Sequence, residues 1–403
     1  MPAVHDHAPE SDSPVNDVLV RELVAAFRAA YASEPRVFFA PGRVNLIGAH
    51  LDYNGGSVLP APVARGTYVA VAPSSGDRSR FASMDLELRV DVGLTETPDA
   101  DQLGWAAYAY GVLDEGRKRA LRAGAVDVFV AGDLPRGAGL SSSASLEVAT
   151  GLALETWFGW DLEPVQLAEL AWTVENGFVG VKCGIMDQFA SALARPAHAL
   201  HLDCASRQWR HVPLAGVELT VIDSCKQREL VVSEFNARVE QCSRAYAVLD
   251  RHWPGRANLA EFTTDEVESL RDELEGVLYR RARHVATEVV RIREAVAALE
   301  GGDIAGLGLR MREAHESCRV DYEVSCDELD FLVDTICAVD GVHGARLTGA
   351  GFGGCVVAVH EPDAFGVREF ARLASAYEQR FGLEPLRHEL HVGGGPREIA
   401  WQT

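Results

Sequence analysis

The chain has 403 residues, a formal net charge of -21, 47% hydrophobic residues and 24% charged residues. That length exceeds one ordinary core, so two globular domains are expected. Its apolar runs fall far short of the ~20 residues of a membrane span, and its negative charge repels nucleic-acid phosphates, so neither membrane nor nucleic acid is an expected partner.

Residues 1–17 read as a disordered tail, and Met1 to Val15 lack the basic-then-apolar order of a signal peptide. The run Val37-Phe38-Phe39-Ala40 reads as a buried strand. The segment from Pro41 to Gly56 follows as a glycine-rich turn holding Arg43, Asn45, His50 and Asp52. Polar groups gathered at the end of a buried strand point to a pocket. Val126 to Val130 alternates like a half-buried strand. It leads into Leu134-Pro-Arg-Gly-Ala-Gly-Leu-Ser-Ser-Ser143 and an apolar helix from Ala144 to Trp157. Gly137 and Gly139 let the backbone approach a ligand. Ser141, Ser142 and Ser143 place hydroxyls and amides at a helix start, where the dipole favours a phosphate. An ordinary capped helix after a glycine turn reads the same way, and no Walker-type lysine closes the loop.

A helix is expected from Asp161 to Val179, with Leu167, Leu170, Ala171 and Val174 on one face and Glu175 near its end. Asn176 and Gly177 read as its stop, and Glu175 reads equally as a solvated helix residue. Next comes Gly180-Val-Lys-Cys-Gly184-Ile-Met-Asp187, in which Asp187 is a carboxylate among apolar neighbours and costly unless paired. Pro196 to Trp209 loosens into a candidate hinge, dividing the chain into domains at 18–208 and 209–403. Beyond it, Val217 to Ile222 reads as a strand, and Ser233 to Leu249 and Asp265 to Leu299 as helices. The glycine-rich turn Leu347 to Cys355 runs into a strand from Val356 to Val359, and its bare backbone suits either a pocket wall or a tight bend. The eight cysteines include no C-x-x-C pair, which points to reduced thiols in a cytoplasmic enzyme.

The segment from Pro41 to Gly56 resembles the sugar-binding signature of galactokinases, within the small-molecule kinases that include mevalonate and homoserine kinases. Leu134 to Ala149 is similar to that family's ATP-binding motif, and Leu347 to Cys355 to its third motif, in family order. Asp321 to Cys326 and Arg397 to Ile399 extend the likeness to roughly residues 35 to 400. The resemblance implies an α+β fold of two domains: an N-terminal ribosomal protein S5 domain 2-like domain and a ferredoxin-like C-terminal domain, with the active site in the cleft. It implies transfer of the ATP γ-phosphate to a sugar's anomeric hydroxyl, with Asp187 as base and Arg43 beside it. The same residues also fit a structural ion pair.

By the same resemblance, the residues from Gly137 through Ala138, Gly139, Leu140, Ser141 and Ser142 to Ser143 hold the nucleotide, and Ser143 and Glu175 hold Mg2+. Asn45, His50, Asp52 and Gly184 match sugar-contacting positions. Three positions depart from the family: Ala49 stands for a glutamate that meets the C6 hydroxyl, Phe235 for a tyrosine, and Leu51 for a threonine. Galactose, galacturonate and a pentose such as arabinose therefore all stay open as substrates. Plant galacturonate kinases also resemble this motif in having alanine there. A uronate needs a cation, for which Lys226, Arg228 and Arg65 are candidates. A catalytically silent sugar sensor is the non-enzymatic alternative, against which the retained Arg43, Ser143, Glu175 and Asp187 argue. A monomer is expected.

Overall fold

The computed structural model describes residues 15–135, 138–214, 216–226 and 231–401. Helix α1 (Asp17–Tyr31) is capped by Asn16, whose side chain accepts from the Leu19 amide. Val20, Leu23, Val24 and Phe27 form its buried stripe at helical spacing. The helix thus starts inside the stretch expected as tail. Strand β1 (Arg36–Asn45) follows, then β2 (Ser57–Val58), β3 (Pro60–Pro73), β4 (Arg78–Ser83) and β5 (Val90–Gly93). The short α2 (Ala100–Leu103) and α3 (Ala106–Lys118) precede β6 (Val126–Gly132).

Strand β1 does not stop at Ala40. It runs on to Asn45, with a register shift between Pro41 and Arg43 where it pairs with β3. Arg43 and Asn45 therefore stand on a strand, not in a turn, and a bulge lets the Pro-Gly pair fit the ladder. Strand β6 is buried on both faces along nearly its whole length. Val126, Val128 and Val130 join the main core, while Phe129 and Ala131 pack in a second cluster with the α1 stripe. The one charge on the strand, Asp127, is held by Arg80 at 2.7 Å.

Helices α4 (Ser142–Phe158), α5 (Pro164–Thr173) and α6 (Met186–Ala192) complete this half. The expected helix from Asp161 begins only at Pro164. It continues past Gly177 as a wide π turn from Val174 to Val179 and ends at the left-handed Gly180. The stretch expected as a hinge is a hairpin of β7 (His198–Asp203) and β8 (Trp209–Pro213), which pairs with β2 in a three-stranded sheet. A boundary at 208/209 would cut that hairpin.

The second half opens with β9 (Glu218–Asp223) and α7 (Val231–His252). The single helix expected from Asp265 is two, α8 (Thr264–Ser269) and α9 (Val277–Glu300). Then come α10 (Ile304–Ser317), α11 (Asp327–Cys337), β10 (Val342–Thr348), β11 (Cys355–His360), α12 (Val367–Phe381) and β12 (Leu386–Glu389). Their sheet has the order β10-β11-β9-β12, while β13 (Arg397–Ile399) returns to the edge of the first sheet, β13-β1-β3-β6-β4-β5. Both halves mix helix and sheet, as an α+β fold requires. All eight cysteines are free, and among the described residues no helix is long and apolar enough to cross a membrane.

Candidate active site

A cavity of about 440 Å³ lies where β1, the start of α4, the start of α6, α7 and the glycine turn before β11 converge. Arg43, Asn45, Ala49, His50, Asp52, Gly139, Leu140, Ser141, Ser142, Ser143, Glu175, Gly184, Asp187 and Phe235 all line it. Ala138 is fully buried behind the loop, and Gly137 lies outside the described residues.

Arg43 organises one wall. Its Nε and Nη2 donate to Asp187 Oδ1 at 2.8 and 2.6 Å, and its Nη1 donates to the Gly139 carbonyl at 2.7 Å. One guanidinium thus ties a strand, a loop and a helix start together. Ser141 does not cap α4. Its backbone is left-handed, and its hydroxyl donates to Asp187 Oδ2 at 2.6 Å. Asp187 is thereby fixed through both oxygens, with acceptor capacity left for one more donor from the cavity.

Glu175 sits on the π turn, where an extra residue per turn is frequent at functional sites. It is 7% exposed, so it is no solvated helix residue. Gln188 Nε2 donates to Glu175 at 2.5 Å and, more loosely, to Glu147 at 3.3 Å. Burial, then the charge of Asp187, pushes the Glu175 carboxyl up to about 7, against the opposing hydrogen bond from Ser143. Burial and the neighbouring Glu175 push Glu147 well above the carboxylate range. This corner is rich in carboxylates and short of cations. Among the described residues no group of three or more His, Cys, Asp or Glu side chains is set to hold a metal.

The sugar-motif residues line the same cavity. Asn45 Oδ1 is buried without a hydrogen-bond partner among the described residues. His50 has a left-handed backbone, φ 57°. Burial and the nearby His284 hold its imidazole neutral, with a pKa of about 3. Its Nδ1 is 2.9 Å from the Tyr53 hydroxyl, which meets the Tyr322 hydroxyl at 2.8 Å. Phe235 packs on His50 and Tyr53 with ring centroids 5.8 and 5.2 Å away. Burial, then Asp187, raises Asp52 to about 6. Gly184 packs directly against Asp52: a Cβ there would lie 2.1 Å from Asp52 Oδ2 and displace it.

Sequence reasoning missed several members of the site. Cys183 lies between Gly180 and Asp187, Gln188 directly follows Asp187, and Tyr53 lies within the segment from Pro41 to Gly56, so adjacency was their signal. Glu147 follows the serines by one helical turn. Tyr322 lies within the Asp321 to Cys326 stretch of the resemblance, whereas His284 and Glu288 come from a distant helix with no local signature.

Fold and cavity together define a two-domain small-molecule kinase of the GHMP class. Residues 107–195 match the N-terminal domain of GHMP kinases and 295–378 their C-terminal domain. Residues 25–73 match the galactokinase galactose-binding signature. A galactokinase of Thermotoga petrophila is 39% identical over 363 residues, 89% of this chain and 99% of that protein. One of Roseiflexus sp. is 41% identical over 364 residues, 90% of this chain and 92% of that protein. The crystal structure of Lactococcus lactis galactokinase complexed with galactose superposes with a TM-score of 0.88 at 29% identity, covering 94% of this chain and all of that one. A mevalonate kinase structure at 17% identity and TM-score 0.64 shares the fold. The chain belongs to the galactokinase family. It is a sugar kinase, and ATP as phosphoryl donor follows from that class.

Proposed function

We propose that this chain transfers the γ-phosphate of ATP to the anomeric hydroxyl of galactose, with Asp187 as general base. One observation carries the reading: Arg43, Asp187, Ser141 and Gly139 meet in a single hydrogen-bonded cluster on the cavity wall. Arg43 orients Asp187 and offers positive charge where phosphoryl charge develops. Asp187 accepts the proton of the attacking hydroxyl through its remaining lone pair. Ser142, Ser143 and the start of α4 face the phosphates, where backbone amides and the helix dipole favour negative charge. Asn45, His50 and Asp52 orient the sugar.

Ser143 and Glu175 are the residues that would hold Mg2+. They fit that ion by donor type, both offering oxygen, and Mg2+ commonly takes only one or two carboxylates alongside phosphates and water. The raised Glu175 carboxyl marks a place where a cation would be welcome. When bound, Mg2+ neutralises charge on the transferring phosphate.

A substrate changed at C6 is the second reading, supported by Ala49 and Phe235 lining the cavity in place of a carboxylate and a hydroxyl. Galacturonate would need a cation, and among the described residues the guanidinium on the cavity wall is Arg43, already committed to Asp187. Lys226 pairs with Glu328 at 2.8 Å, Arg65 does not line the cavity, and Arg228 lies outside the described residues. Galactose is therefore favoured over the uronate. A coupled ADP-release assay with galactose, galacturonate and arabinose tests this. Galactose turnover well above the other two is expected. Galacturonate turnover above galactose would overturn the assignment.

A further inference from the structure

Helix α9 touches the sugar-motif loop with two fully buried polar side chains set one turn apart, His284 and Glu288. Glu288 Oε1 accepts from the Gly48 and Ala49 amides, each at 3.0 Å. His284 Nε2 is 3.1 Å from the Ala49 carbonyl. A carbonyl only accepts, so this nitrogen carries the proton. Nδ1 lies 2.9 Å from the Ser317 hydroxyl, which is also 3.3 Å from Asp321 Oδ2. Arg291 Nε donates to the other oxygen of Glu288 at 2.6 Å. The peptide groups around Ala49 are thus gripped on their N–H side and their C=O side by one face of one helix.

The grip falls on a stretch of left-handed backbone. Gly48 has φ 92° and His50, which is not glycine, has φ 57°. A left-handed residue with a side chain costs roughly 1–2 kcal/mol and persists only when its surroundings hold it. Asn54 adds a hydrogen bond to the His50 carbonyl at 2.7 Å. These backbone contacts act together with the ring's own contacts to Tyr53, Phe235 and Tyr322.

We propose that Glu288 and His284 are positioning residues for sugar binding: by clamping the Gly48–Ala49 backbone, they set His50 and Asp52 in the cavity. The clamp reads only backbone, so it leaves the side chain at position 49 free to vary while the loop keeps its course. It also separates the two substrates, since among the described residues neither side chain lines the cavity or touches the serine loop.

The test uses the full-length enzyme with Glu288→Gln, His284→Ala and His284→Gln, the last keeping an amide donor near the Nε2 position. Hydrogen–deuterium exchange is followed over residues 47–52 and, as a control, over 138–150. Faster exchange in the first segment alone is expected for Glu288→Gln and His284→Ala, with His284→Gln closer to wild type. The kinetic arm rests on the proposed galactose kinase activity. There KM for galactose rises about tenfold or more, while KM for ATP stays within about twofold of wild type. Unchanged exchange in 47–52, or equal change in both segments, overturns the clamp. If Glu288→Gln does not fold, His284→Ala decides, since it leaves the buried Glu288–Arg291 pair intact. A wild type that ignores galactose would overturn the proposed function instead, and the exchange arm would still decide the clamp.

Discussion

Two buried glutamates in this molecule sit at opposite ends of the carboxylate range. Glu175 is pushed up to about 7 by burial and by Asp187. Glu288 is more completely buried, and burial alone would raise it, yet the Arg291 guanidinium, with Arg346, holds it down at about 2. The difference lies in the company each keeps. Glu288 is a finished ion pair whose oxygens are taken by two amides and a guanidinium. Glu175 faces a cavity among Asp187 and Glu147, with an amide and a hydroxyl as its described partners. Glu288 is neutralised inside the fold, whereas Glu175 is left short of a cationic partner, as its proposed role toward a ligand requires.

The largest expected break in this contrast comes at Asp187. Asp187→Asn keeps the side-chain shape but removes the proposed base, so kcat should fall by about 10²–10⁴-fold with the circular dichroism spectrum unchanged. Near-normal turnover would remove Asp187 from the base role. Gly184→Ala comes next. Its Cβ would press on the Asp52 carboxylate, and losing a charged hydrogen bond to a sugar hydroxyl is worth about 1.5–3 kcal/mol, or about 10–100-fold in sugar affinity. Calorimetry with galactose checks this, and unaltered affinity would place Asp52 away from the sugar.

Ser143→Ala should weaken Mg-nucleotide binding by a smaller factor, about tenfold, with galactose affinity retained. An unchanged KM for Mg-ATP would count against the serine as a ligand. The smallest effect on galactose itself is expected from Ala49→Glu. That reversion should improve kcat/KM for galactose by several-fold while penalising galacturonate, since like charges 4 Å apart repel by about 4 kcal/mol at an effective dielectric of 20. Equal ratios in both proteins would make Ala49 a neutral replacement.

Much of the cavity was legible in the sequence because its residues are chemically out of place. Asp187 among Ile185, Met186 and Phe189 needed a partner, and the glycines at 349, 351, 353 and 354 all take positive φ in the turn that lines the wall. What stayed hidden depended on register or on backbone contacts. Pro41-Gly42 reads as a turn, yet a shift in pairing absorbs it and carries β1 on to Asn45. The stretch from Pro196 to Trp209 looked loose because only one face of β7 is well buried, while β8 is largely exposed. Glu175 looked like a helix-end residue because a π turn cannot be told from a helix stop at Asn-Gly by composition. Glu288 and His284 bond to main-chain atoms far away in sequence, and such contacts constrain no neighbouring side chain.

The contrast between the two glutamates is tested most directly by counting protons. Binding of Mg-ADP is measured by calorimetry at pH 7 in two buffers of different ionisation enthalpy, with wild type and Glu175→Gln. Burial and Asp187 raise the Glu175 carboxyl to about 7, and a cation held there would favour the ionised form, so binding should release a fraction of a proton. The release should shrink as pH rises above 8, where Glu175 is already ionised, and should vanish in Glu175→Gln. No proton release from wild type at pH 7, or the same release from both proteins, would contradict the assignment of Glu175 as the cation's carboxylate.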